Sequence, residues 1–207
     1  MTPHEQYADL GHQERSGRFG IWVFIGSEVL FFGALFALYA GFRAHYTRDF
    51  EEASRHAKLW LGTANTYILL TSSLFVALGV AAIREGKRRQ LAVFLVLTIL
   101  CGLAFLVIKG VEYSEHFREG IEWGAAFSDP ALPSRGALLY FTMYFVMTGL
   151  HALHVLIGVI LFGGLLVRMR GGRYTGEYHL TVEVVGIYWH FVDIVWLFLW
   201  PSFYLMH

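Results

Sequence analysis

The chain has 207 residues, 56% of them hydrophobic, 17% aromatic and only 15% charged, more apolar surface than a soluble fold of this length can hide. Basic and acidic residues balance at a net charge of +0 and the bases are scattered, which argues against a nucleic-acid partner. The single cysteine, Cys101, excludes an intrachain disulfide and any cysteine-built zinc or iron–sulfur site.

Residues 1–18 form a polar leading segment without the apolar core of a cleavable signal peptide, so none is expected and the first membrane helix would itself direct insertion. The remainder, 19–207, reads as a single membrane domain, an all-α bundle of five transmembrane helices, since about 20 apolar helical residues cross a bilayer core. The first helix, about Phe19–Phe42, carries Glu28 with no basic residue within eight positions on either side. A charged carboxylate at bilayer depth costs about 2.5–3.5 kcal/mol even on lenient insertion scales, so Glu28 needs a partner, a proton or a purpose.

The second helix, about Leu59–Ile83, buries Asn65, Thr71, Ser72 and Ser73 in an apolar run. Small residues recur every four positions on both helices, as Gly33, Ala37 and Gly41 and as Ser73, Ala77 and Ala81. That spacing suits close backbone approach and is read as ordinary packing within the chain. The third helix, about Leu91–Ile108, places Lys109 in the loop beyond it and Glu112 at its outer end, where charge is cheap. The fourth, about Ala137–Val167, is long enough to tilt or project from the membrane. Its His151 and His154 are three apart and so share a face. The fifth, about Val182–Leu205, carries His190 and Asp193 at the same spacing, read as an internal pair in which Asp193 orients the imidazole.

Four Lys/Arg lie in the six residues Arg84–Arg89, and Arg168, Arg170 and Arg173 cluster in the fourth connection. Their density against the more dilute opposite loops predicts the N-terminus inside and the C-terminus outside. Counting from the inner helix ends at 1.5 Å per residue puts Glu28 and Asp193 about 13 Å deep, His154 about 18 Å and His190 about 9 Å. Three helices thus offer ionisable groups to one inner-leaflet layer. On the residues alone several chemistries stay open. A haem b anchor would use His151, His154 and His190, although the depths of the last two match poorly. A metal site from His151, His154 and Glu28 rests on a weak motif, and buried histidines often only join helices by hydrogen bonds. A proton-coupled transporter would centre on Glu28 and Asp193 but lacks the broken helices and repeats of that class. No nucleophile elbow, HExxH helix or phosphate loop occurs.

The order of the motifs is more specific than any one of them. Ser27-Glu28-Val29-Leu30-Phe31-Phe32 is followed by Asn65-Thr66 and Thr71-Ser72-Ser73, then by Glu112-Tyr113. Thr148-Gly149-Leu150-His151-Ala152-Leu153-His154-Val155 comes next, then Tyr188-Trp189-His190-Phe191-Val192-Asp193-Ile194-Val195-Trp196-Leu197. This succession, over about residues 15–207, resembles subunit III of the haem–copper terminal oxidases, in a five-helix bacterial form that starts at the third of the seven helices of mitochondrial versions. The resemblance implies an accessory subunit with no catalytic residue, metal or cofactor of its own. Haem and copper would belong to partner subunits: a catalytic subunit I that it packs on, a subunit II and a small subunit IV. It implies structural phospholipid in a cleft, lipid headgroups near Arg168 and Glu112, and support of proton uptake and enzyme longevity. Glu28 would match a carboxyl that reacts with hydrophobic carbodiimide, which suits a protonated group in apolar surroundings. His151, His154, His190, Asp193 and Asn65 would form the polar cluster around it. A cytochrome c oxidase is the expected complex, with the electron donor, cytochrome c or quinol, read by other subunits, and an accessory chain of a quinol oxidase or nitric oxide reductase system is the nearest alternative.

Overall fold

The computed structural model describes residues 10–121, 134–170 and 180–205. They form six helices and, among the described residues, no strand: α1 (Leu10–His45), α2 (Thr47–Ser54), α3 (Leu59–Arg84), α4 (Arg88–Arg118), α5 (Arg135–Arg170) and α6 (Leu180–Tyr204). All but α2 are long and apolar enough to cross a membrane, so the chain is an all-α, multi-pass membrane protein. Helix is what such sequences adopt in lipid, because every backbone N–H and C=O must be satisfied within the segment.

The helix ends follow from local chemistry. α3 and α4 both close on a glycine that supplies the left-handed conformation a side chain resists, Gly86 at φ 73° and Gly120 at φ 77°. In each case the glycine's own N–H and the next one fold back: Gly86 N to Ile83 O at 3.0 Å and Lys87 N to Ala82 O at 2.9 Å, then Gly120 N to Phe117 O at 3.2 Å and Ile121 N to His116 O at 2.9 Å. α5 starts on Ser134, whose hydroxyl accepts from Ala137 N at 3.0 Å, while Asp49 of α2 accepts from Gly136 N at 3.2 Å. α2 is a short amphipathic helix missing from the sequence expectation; it buries Phe50, Ala53 and Ser54 and packs on α5.

α6 is the axis, contacted by α1, α3 and α5, while α4 closes the bundle against α3 and α5. Among the described residues α1 packs mainly on α2, α5 and α6, and most of its surface faces outward. Arg84 bonds Glu183 through Nη2 at 2.8 Å and Nε at 3.0 Å, and Arg18 Nη2 reaches the same carboxylate at 3.3 Å. The start of α1, the end of α3 and the start of α6 therefore share one level, here called the Arg84 end. At the opposite end Lys58 bonds Glu115 and the Tyr39 hydroxyl donates to the Ser202 carbonyl.

α1 and α4 outrun their predicted lengths the most. α1 begins at Leu10, not Phe19, and α4 continues ten residues past Ile108 to Arg118. Beyond the apolar run α4 keeps an inward face of Phe105, Lys109, Glu112 and His116, all buried, so it stays part of the bundle. The small-residue stripes do not pack as expected. Gly33, Ala37 and Gly41 are exposed, with nothing within 4 Å of a Cβ built at either glycine, and Ala77 and Ala81 are exposed too.

Close approach occurs instead between glycines and aromatic rings. A Cβ at Gly158 would lie 2.5 Å from the Trp189 ring, and one at Gly62 would lie 2.8 Å from Tyr204. Trp189 is wholly buried and its Nε1 donates to Ser72 Oγ at 2.9 Å, so it has no room to yield. Gly158→Ala is expected to cost about 1–3 kcal/mol through overpacking, read as a lowered thermal transition in detergent. Gly164→Ala, with nothing within 4 Å, should leave the transition unchanged.

Candidate functional site

Glu28 lies on the face of α1 that meets α5, and its Oε2 is 3.1 Å from His154 Nε2. The other ring nitrogen, Nδ1, is 2.8 Å from the Leu150 carbonyl one turn back on α5. A carbonyl only accepts, so Nδ1 carries a hydrogen, and a neutral imidazole then presents a bare Nε2. The 3.1 Å contact therefore holds one further proton, either on the carboxyl or on Nε2. In both forms the pair is neutral as a whole. Phe32 covers the imidazole edge-on at 5.3 Å, and the Tyr188 hydroxyl donates to the His154 carbonyl at 2.9 Å. The side chains remain partly accessible, 19% for Glu28 and 13% for His154, so the pair sits at the bundle's outer boundary. The predicted offset in depth between the two disappears because α1 begins earlier, which places Glu28 further along its helix.

His190 does not pair with Asp193. Its Nδ1 lies 2.6 Å from the Ser73 hydroxyl on α3, and among the described residues neither oxygen of the buried Asp193 makes a hydrogen bond. The facing hydroxyl of α3 takes the place assigned to the carboxylate. His151 is fully buried on α5, its ring 5.1 Å from Trp196 and 5.5 Å from Phe105, with neither nitrogen bonded among the described residues. The shared face of His151 and His154 therefore splits in role: one imidazole joins two helices and the other packs. Asn65 is fully buried and unbonded, next to Thr66, which accepts from Trp196 Nε1 at 3.0 Å.

The comparisons with known proteins cover the stretch of chain that carries Glu28, His154, His190 and Asp193. Residues 11–207 match the family described as cytochrome c oxidase subunit III. The chain is 34% identical over 199 residues to cytochrome c oxidase subunit 3 of Polypterus ornatipinnis, covering 90% of this chain and 68% of that one. It is 33% identical over 203 residues to the Latimeria chalumnae protein of that name, covering 92% and 70%. Against the probable cytochrome c oxidase subunit 3 of Nocardia farcinica it is 32% identical over 185 residues, covering 89% and 85%.

The chain belongs to the cytochrome c oxidase subunit III family. Members are subunits of a terminal oxidase complex, so this subunit III works alongside other oxidase chains.

A second polar site of this subunit III was not legible as such from sequence. Lys109, assigned to a loop, and Glu112, assigned to an exposed helix end, are buried at 3% and 0% side-chain exposure with Nζ–Oε2 at 3.0 Å. Lys109 also donates to the hydroxyls of Tyr144 at 2.9 Å and Tyr204 at 3.0 Å, so each of its three N–H bonds has its own acceptor. Tyr204 in turn donates to Glu112 Oε1 at 2.6 Å. Rings of Tyr113, Tyr144, Trp196 and Tyr204 surround the ammonium at 4.6–5.6 Å. Nearby, the Tyr113 and Thr148 hydroxyls lie 2.6 Å apart. A signal that could have found it is the helical spacing of Phe105, Lys109 and Glu112, four and then three residues apart. Between α2 and α3, Lys58 has its ammonium pKa raised above the usual lysine value by the hydrogen bond to Glu115.

Arg168 is exposed at the end of α5, at the Arg84 end of the bundle. The connection around Arg173, and residues 122–133, lie outside the described residues. Among the described residues no three His, Cys, Asp or Glu side chains converge as metal ligands.

Proposed function

We propose that this subunit III is a non-catalytic accessory of a proton-translocating cytochrome c oxidase. It packs on the haem- and copper-bearing subunit I, with subunit II and a small subunit IV in the same complex, and it orders phospholipid against its α1–α5 side. In this reading the N-terminus and the Arg84 end face inside, which puts Glu28 in the inner half of the membrane. Arg168, exposed at that end, meets lipid phosphate, to which a guanidinium bonds in forked geometry. Glu112 takes no headgroup, because it is sealed inside the bundle.

The observation that carries the reading is the Glu28–His154 contact, which joins two helices yet stays partly open at the bundle's edge. A pair that tolerates lipid while holding an exchangeable proton suits a supporting part in proton uptake better than a reaction centre. The test is removal of this chain from the complex. The remaining oxidase is expected to keep near-normal initial oxygen consumption and then to lose activity faster during turnover. Absence of any haem- and copper-bearing partner on gentle purification would refute the proposal, and so would immediate loss of oxygen reduction in an otherwise assembled complex.

A further inference from the structure

His190 sits about 15 Å along α6 from Leu180, well inside the span. Its Nδ1 is taken by Ser73, but its Nε2 makes no hydrogen bond among the described residues and is not sealed from the surface, since the residue is partly exposed. Serine and threonine hydroxyls on the outer faces of these helices return to their own backbone, as Thr71 does to Tyr67 O at 2.8 Å and Ser27 to Phe24 O at 2.7 Å. An imidazole nitrogen has no such local option. At this depth lipid tails offer it nothing, and an unmet polar atom in hydrocarbon is costly.

The surroundings of His190 form a groove. α1 and α3 both pack on α6 but form no seam with each other. Phe36 of α1 meets Phe198 of α6 at 6.2 Å on one side, and Ser73 and Val76 of α3 meet His190 and Gly186 on the other. Between them α6 leaves Ile194 and Leu197 exposed at 52% and 40%, one and two turns beyond His190. The walls are low. Gly33 and Ala40, three before and four after Phe36, are exposed, and so is Ala77, four after Ser73. Small residues flanking a strip of larger ones are what lets another helix lie close, and a polar group there hydrogen-bonds across it.

Resting on the subunit III reading, we infer that this groove over α6 receives a transmembrane helix of another oxidase subunit, and that a polar side chain of that helix hydrogen-bonds His190 Nε2. An acyl chain fills a groove but leaves the nitrogen unmet, so a protein helix is the occupant that fits both features. The Ser73 bond makes His190 a positioned group, holding Nε2 outward toward the incoming helix.

The test uses the intact complex, with photoreactive benzoylphenylalanine at Leu197 and, in a separate preparation, at Ile160 on the exposed face of α5. A cross-link from position 197 to another chain, absent from position 160, is the expected result. A link from 160 but not 197 overturns the groove while leaving the accessory function standing. Linkage of 197 to lipid alone overturns it equally, and loss of every partner on gentle purification refutes both readings. In the same preparation His190→Phe is expected to lower retention of this chain several-fold, with His190→Gln restoring much of it. Ser73→Ala, which removes only an internal bond, should lower retention less than His190→Phe. If His190→Phe leaves retention unchanged, the hydrogen bond to the partner is refuted.

Discussion

Lys109→Met is expected to destabilise the folded bundle by about 3–5 kcal/mol, the usual cost of leaving one member of a buried ion pair unpaired. The substitution removes donors to Glu112, Tyr144 and Tyr204 together, and these lie on α4, α5 and α6. Glu112 would keep only the Tyr204 hydroxyl for a carboxylate with no exposure. Its alternatives are to take up a proton or to draw water inward, and either loosens the seam. The Lys109→Met, Glu112→Leu double variant should recover most of the loss, because two apolar side chains of similar volume can replace a buried pair at little net cost. Thermal transitions of the three proteins in one detergent decide the matter. If the double variant is no more stable than Lys109→Met, the hydroxyl network matters more than the charge pair.

The second large effect is expected at His154. His154→Leu leaves Glu28 partnerless on α1, at about 1–3 kcal/mol for a polar group that loses its hydrogen bond. Among the described residues the other polar ties of α1 to the bundle include Arg18 to Glu183 and Tyr39 to Ser202, both near its ends, so its middle should loosen first. Faster protease cleavage near the α1–α2 junction would report this. Glu28→Gln should behave differently, since its amide N–H can donate to His154 Nε2 while Leu150 holds the other ring nitrogen. Assembly should be intact and initial oxygen consumption near normal. Complete loss of turnover in an assembled Glu28→Gln complex would contradict an accessory role.

The contrast between these two sites shows what a sequence of this kind displays. Glu28 stood out because an acid in an uninterrupted apolar run has no local remedy. Its partner was among the named residues because His154 lay on a regular helical face. The five spans were equally plain, since hydropathy and helix length are local properties. Lys109 was misplaced for the same reason: a lysine ends an apolar run, and only Tyr144 and Tyr204, 35 and 95 residues away, make it interior. His190 and Asp193 share spacing on one helix, but whether an imidazole turns to its own helix or a neighbour depends on which hydroxyl faces it. Ser73, 117 residues earlier, decided that. The eight residues of α2 are too charged to resemble a span, although Phe50 and Ala53, three apart, mark its buried side.

The loose attachment of α1 also bears on how the chain is made. Glu28 and His154 are 126 residues apart, and Arg18 and Glu183 are 165 apart. At synthesis rates of about 5–20 residues per second, His154 follows Glu28 from the ribosome by roughly 6–25 s. α3 and α4 can pair as a hairpin as soon as both are inserted, but α1 packs on neither and has to wait for α5 and α6. During biogenesis α1 thus precedes the helices that lock it, and for those seconds its acid stands in the bilayer without the imidazole it later meets.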